Sequence, residues 1–302
     1  MEEGIPEEDR IQAMKLKQLG VNLASLADYD LQDAIDTVRK LGFFSIELPA
    51  FRGVRHSVGE VPGFWFDELT EDEREGLKEA LRGFGHICLH APFVDLPLFT
   101  SNPGVREEAL DQIRMALEAA WFLGAEVVTV HANHKTGYSL EEFYGEMVDA
   151  FRKLGDFALG CNTKIGIETG YPDRVREYLK LILDVGHEAV GATLDVGHIK
   201  AYLSRNLLDS ERGPELFNDT LLHITRTLGS VIFHIHLHDL RPGDWRDHRR
   251  LGGGVVDWKR FMEVLEGIGY QGPMVFELEE EDREGALLSS RDYLEGMAVF
   301  EE

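Results

Sequence analysis

The chain is short of cysteine, of positive charge and of long apolar runs. Its 302 residues include 2 cysteines, Cys88 and Cys161, one inside an apolar run and one beside a turn. Their placement fits neither a metal site nor a disulfide framework, so a reducing cytoplasm is the expected setting. No stretch of about 18 uncharged apolar residues occurs. The acidic start MEEGIPEEDR lacks the basic-then-apolar form of a signal peptide. Neither a membrane span nor export is expected. Lys and Arg number 31 against 55 Asp and Glu, for a net charge of −24. Binding along a phosphate backbone draws on Lys/Arg clusters that are not visible here, so nucleic acid is not an expected partner. A metal or a locally placed arginine could still hold one phosphate. The first βα turn also lacks a glycine-rich phosphate loop, which argues against an open dinucleotide-binding sheet.

What is present is a repeated pattern. With 43% apolar residues the chain can bury a sizeable core, and short apolar runs alternate eight times with longer amphipathic ones. Strands are read at Gly20–Ser25, Phe43–Leu48, His86–His90, Glu126–His131, Lys164–Glu168, Gly191–Asp195, Val231–Asp239 and Pro273–Glu277. The helices between them include one capped by Thr70 with Glu73, one over Val105–Leu123 that Pro103 starts and Gly124 ends, and a closing helix at Ser290–Phe300. The expected fold is α/β, a closed (β/α)8 TIM barrel forming a single domain over residues 1–302. A polar arm covers residues 1–19, and a long loop, Pro49–Leu69, crosses the barrel mouth.

Strict alternation in VIFHIHLHD, Val231–Asp239, puts His234, His236 and His238 on one face of a strand. Folding alone calls for no such row. Other strands end the same way: His90, His131, Glu168, Asp195, His236 and Glu277 are separated by 41, 37, 27, 41 and 41 residues, each roughly one βα unit. In a barrel these six ring the C-terminal mouth, where barrel enzymes build their sites. Buried carboxylates and imidazoles side by side are costly unless a cation compensates them, so the ring reads as a metal site. Taken singly, each member could be a cap, a loop carboxylate or a core histidine.

The motifs LHAPF (Leu89–Phe93), VTVHAN (Val128–Asn133), IGIETG (Ile165–Gly170), TLDVGH (Thr193–His198), HIHLHD (His234–Asp239), DHRRLGGG (Asp247–Gly254) and VFELE (Val275–Glu279) occur in that order. Together they resemble the xylose-isomerase-like TIM barrel superfamily over nearly the whole chain. That superfamily includes sugar and sugar-phosphate isomerases and epimerases, inosose dehydratases and the endonuclease IV group. The resemblance implies a main metal held by Glu168, Asp195, His236 and Glu277, with His234 and His238 lining or orienting. In the endonuclease-like members His90 and His131 would join Glu168 around a second metal, and His198 with an Asp-x-His pair a third. Here the residue two before His248 is Arg246, leaving only Asp247 or Asp244 for that pair. Gly252-Gly253-Gly254 stands where many relatives have Gly-Glu-Gly.

Three carboxylates and one imidazole suit Mn²⁺, Mg²⁺ or Co²⁺ and leave positions for two neighbouring substrate oxygens. The expected function is a metal-dependent sugar or sugar-phosphate isomerase or epimerase of carbohydrate metabolism, or a related lyase. It would work by proton transfer through an enediolate, with Glu168 and Glu277 as catalytic bases. His198, Arg246 and Trp65 are the substrate-binding candidates, and His90, His131, His198 and His248 the candidates for a second metal or for substrate. Arg249 and Arg250 also stand near the mouth. The alternatives are an endonuclease IV-like phosphodiesterase using Zn²⁺ and a non-catalytic sugar-binding barrel. The partner expected is a small sugar; a homo-oligomer is compatible with the sequence.

Overall fold

The computed structural model describes residues 17–132 and 139–298. Most of the predicted polar arm and Asn133 of VTVHAN lie outside them. Eight parallel strands close into a barrel: β1 (Leu19–Asn22), β2 (Ser45–Pro49), β3 (His86–His90), β4 (Val127–Val130), β5 (Lys164–Glu168), β6 (Val190–Asp195), β7 (Ile232–Leu237) and β8 (Met274–Phe276). Each pairs with its neighbours in sequence, and β1 closes on β8 with Val21 opposite Phe276. The principal helices are α1 (Leu31–Lys40), α2 (Glu71–Ala80), α3 (Pro103–Leu123), α4 (Leu140–Gly160), α5 (Val175–Val185), α6 (Gly213–Leu228), α7 (Trp258–Gly267) and α8 (Arg283–Ala298). Among the described residues no helix is long and apolar enough to cross a membrane. The architecture is therefore the expected (β/α)8 TIM barrel.

Local chemistry sets the boundaries. Thr70 and Glu73 form a reciprocal capping box at the start of α2. At α3, the Asn102 side chain accepts the Gly104 and Val105 N–H groups, Pro103 occupies the first turn, and Gly124 ends the helix at φ 77°. Most predicted strand boundaries move by one or two residues, and two element boundaries move further. Strand β1 stops at Asn22, because its side-chain oxygen accepts the Ala24 N–H at 2.9 Å and turns the chain into a 3-10 helix, Leu23–Leu26. The closing helix begins at Arg283 rather than Ser290, since Asp282 accepts the Gly285 N–H at 3.2 Å. The acid run Glu279–Asp282 thus ends in a cap.

Alternation divides each strand between two environments. Ile46, Leu48, Leu89, Val128, Ile165, Leu194 and Ile235 join the apolar layer beneath the helices, with Ile35, Leu117, Phe151 and Phe217. Inside the barrel a polar layer replaces the usual branched aliphatics. Thr129 donates to Glu47 at 3.0 Å and lies 3.1 Å from Thr193, all three fully buried. Gly166 makes this approach feasible, because a Cβ there would fall 2.1 Å from Thr193 Oγ1. The loop Pro49–Leu69 forms a small hairpin, Arg55–His56 against Gly59–Glu60. His56 Nε2 donates to the Ala24 carbonyl at 2.8 Å, and Arg246 donates to Ser57 at 2.7 Å. The loop is thereby tied to the segments following β1 and β7.

Candidate metal centre at the barrel mouth

His90, Glu168 and Asp195 are the last residues of their strands, His131 and Glu277 follow theirs by one, and His236 precedes the end of β7 by one. Strand register thus brings residues from six strands to one level. Glu168, Asp195, His236 and Glu277 offer ligand atoms within 4.8 Å of one another. Glu168 Oε1 and Glu277 Oε2 each lie 3.0 Å from His236 Nδ1, and Asp195 Oδ2 lies at 3.6 Å. Nevertheless, His236 Nδ1 and Glu168 Oε2 are buried with no hydrogen-bond partner among the described residues. Three carboxylates crowded off-axis around one imidazole nitrogen is an arrangement that a cation between them satisfies and hydrogen bonds do not.

The electrostatics agree. Burial alone would raise the Glu168 carboxyl, but the imidazoles of His131 and His198 hold it well below the ordinary range. Asp195 is likewise kept low against burial by His198 and His238. Burial would lower His236, yet Glu47 and Glu277 drive it well above its ordinary value. Each shift expresses the demand of clustered carboxylates for positive charge.

Neighbouring histidines fall into distinct roles. His238 Nδ1 accepts the His248 N–H at 2.9 Å, so its proton sits on Nε2, which lies 2.9 Å from both Asp195 oxygens. His238 therefore orients Asp195 and has no lone pair left for a metal. His90 Nδ1 donates to the Ala91 carbonyl at 2.9 Å, leaving Nε2 facing His131 Nε2 at 3.3 Å. His131 Nε2 also touches Glu168 Oε2, and its ring stacks on Phe93 at 4.3 Å. His90, His131 and Glu168 make a second group of metal-ligand type. His198 donates its backbone N–H to Asp195 at 2.7 Å, with Nδ1 3.2 Å from the Thr169 carbonyl.

A family described as xylose isomerase-like TIM barrel matches residues 35–301. The chain belongs to that family. Relatives include the uncharacterized protein MJ1311 of Methanocaldococcus jannaschii, 29% identical over 69% of this chain and 70% of its own. L-ribulose-5-phosphate 3-epimerase UlaE of Salmonella typhi is 24% identical over 81% of this chain and 88% of its own. Among solved structures, a D-tagatose 3-epimerase-like protein superposes with a TM-score of 0.71 at 23% identity, covering 93% of this chain and 96% of that one. The IolI protein with a bound zinc atom gives 0.71 at 19%, covering 93% and 98%.

Within this xylose isomerase-like barrel the remaining candidates differ in place, and His198 and His248 border the cluster. Trp65 lines a groove with Asp28, Arg52 and Glu68, outside the ligand cluster, because Phe64 and Phe66 on either side of it are the ones that turn inward. Arg246 reaches Ser57 and lies 3.7 Å from Glu279, so its charge is already engaged. His198 and His248 have ring centroids 6.1 Å apart and both stand beside Asp195: His198 Nδ1 lies 3.8 Å from it, and His248 joins Asp195, His238 and Glu277 in a further group whose ligand-type atoms lie within 4.8 Å of one another. His248 also stacks on His238 at 4.3 Å and stands 3.8 Å from Glu277. Glu47 and Asn22, which the sequence reading passed over, are buried here. Asn22 Nδ2 donates to Glu47 at 2.9 Å and to Glu277 at 3.3 Å. An acid inside the apolar run FFSIEL was the available signal.

His248 yields a pH prediction for metal-free protein. Burial pulls its pKa down, but Asp247 at 3.5 Å, then Glu277 and Asp195, push it up to about 9. Because the folded value exceeds the unfolded one of about 6.5, this stabilisation is complete below about pH 6.5 and lost as pH rises to 9. The melting temperature of chelator-treated protein should fall across that window, and His248→Ala should reduce the slope. An equal slope in the variant would refute the assignment.

Proposed function

We propose that the protein is a divalent-metal-dependent isomerase or epimerase of a sugar or sugar phosphate. The observation carrying this reading is the convergence of Glu168, Asp195 and Glu277 on the unpartnered Nδ1 of His236. These four would hold the metal, and three carboxylates with one imidazole suit Mn²⁺, Mg²⁺ or Co²⁺. When bound, such an ion supplies the Lewis acidity that makes the C–H beside a carbonyl removable. The proton itself falls to Glu168 and Glu277. They stand on β5 and β8, so their carboxylates approach a substrate carbon from different sides of the mouth. One takes the proton and the other returns it. Return to the opposite face of the same carbon is epimerisation; return to the adjacent carbon is aldose–ketose isomerisation. His198, anchored beside Asp195, is placed to hold a substrate oxygen. The activity named for UlaE and the zinc held by IolI support the reading.

The group His90–His131–Glu168 favours a second reading, an endonuclease IV-like phosphodiesterase using Zn²⁺. The net charge of −24 weighs against a nucleic-acid substrate. Incubation of Mn²⁺-loaded protein in D₂O with 2-ketoses and their phosphates separates the two. Deuterium should enter at the carbon beside the carbonyl of one substrate, with its epimer or aldose appearing. No exchange with any ketose, together with cleavage of abasic DNA by zinc-loaded protein, would overturn the proposal.

A further inference from the structure

The histidine strand β7 leaves one acid unexplained. Glu47, on β2, is fully buried inside the barrel, one level below the ligand cluster. Its carboxylate accepts the Thr129 hydroxyl at 3.0 Å and the Asn22 amide at 2.9 Å. The Asn22 oxygen is committed to the Ala24 N–H, so the amide nitrogen is the group facing Glu47. The remaining contact of Glu47 Oε2 is His236 Nε2 at 2.9 Å, with His234 Nε2 at 3.3 Å.

We infer that Glu47 is a positioning residue for the metal centre: its charge favours the His236 tautomer protonated on Nε2 and thereby presents the Nδ1 lone pair to the metal. The inference rests on the metal-dependent reading above. A His236 that ligates through Nδ1 must carry its proton on Nε2. Glu47 is the carboxylate nearest that atom, whereas Glu168, Asp195 and Glu277 all face Nδ1. The oxygen lies off the axis of the ring N–H, so the coupling is chiefly electrostatic: a fixed negative charge 2.9 Å from the protonated nitrogen makes the opposite nitrogen a stronger donor. The scaffold around Glu47 fits this use. Thr129 and Asn22 fix both carboxylate oxygens, and Asn22 also contacts Glu277, linking the positioning acid to a second ligand. The rival occupant of this layer is a cation between Glu47, His234 and His236. It would need His236 to bridge two ions and the Glu47 oxygens to keep their present donors.

The test compares Glu47→Gln, which keeps an acceptor without charge, with Glu47→Leu, which removes it. Mn²⁺ affinity is measured by calorimetry, and the exchangeable imidazole N–H resonances are recorded on Co²⁺-substituted protein. Glu47→Leu should bind Mn²⁺ roughly 10- to 100-fold more weakly than wild type, with the His236 N–H resonance lost or shifted. Glu47→Gln should lose less than about tenfold, with that resonance retained but displaced. Where Glu47→Leu does not fold, the Gln variant decides: an unmoved resonance and unchanged affinity overturn the inference. So does loss of a second metal ion per chain, which would assign Glu47 to an interior metal. If the wild-type protein binds no divalent ion, it is the metal-dependent reading that fails, and calorimetry on wild type alone reveals this.

Discussion

Glu168→Gln and Glu277→Gln should each lower turnover by more than about 10³-fold, roughly 4 kcal/mol in barrier, while the barrel still folds. Both side chains touch His236 Nδ1 at 3.0 Å, so each is at once a candidate ligand and a candidate base. Glutamine keeps the size and one oxygen of the carboxylate but cannot accept a proton. Folding should tolerate the change, because removing one charge from a crowd of acids relieves repulsion in metal-free protein. The variants should differ in detail. Glu168 is buried, with Oε1 beside His236 and Oε2 against His131, so its loss also disturbs the second group. Glu277 is more open, with 16% of its side chain exposed, and its variant should hold metal better. Turnover and bound metal are measured at saturating Mn²⁺. Either variant within about tenfold of wild type would refute the two-base mechanism.

The barrel was readable from the sequence because its signals are local and repeated. Apolar runs of strand length, the Thr70–Glu73 box, Pro103 and Gly124 each act within a few residues, and β3 and β5 begin and end where composition places them. The ring of strand-end acids and histidines was readable for a related reason: strand ends in a closed barrel share one level, so spacing by βα unit translates directly into proximity. What escaped depends on partners far apart in the chain. Glu47 meets Thr129 and His236 across the barrel interior, and no periodicity within FFSIEL announces that. The role of His238 turned on one backbone hydrogen bond from His248, which the loop supplies through a positive φ of 55° at His248. Trp65 was a candidate through its place in the loop Pro49–Leu69; the packing of Phe64 and Phe66 sends it elsewhere.

His236→Ala should empty the main metal site, whereas His131→Ala should retain that metal and lose chiefly substrate affinity or a secondary ion. The reason is ligand economy. Glu168, Asp195, His236 and Glu277 already provide four donor atoms within 4.8 Å of one another, and an octahedral ion then has two positions left for vicinal substrate oxygens. A fifth protein ligand would block one of them. His131 is not among the three oxygens and one nitrogen that converge there. It contacts the far oxygen of Glu168 and faces His90 at 3.3 Å, with its ring against Phe93. Removing it frees Glu168 Oε2 but leaves Oε1 at His236. His236→Ala, by contrast, removes the atom on which the carboxylates converge and leaves four acids, Glu47 included, around a cavity with no imidazole between them. Bound metal per chain and turnover are measured for both variants. If His131→Ala empties the site as thoroughly as His236→Ala, the two groups form one coupled multi-metal cluster, and zinc-dependent phosphodiester cleavage replaces sugar epimerisation as the better reading.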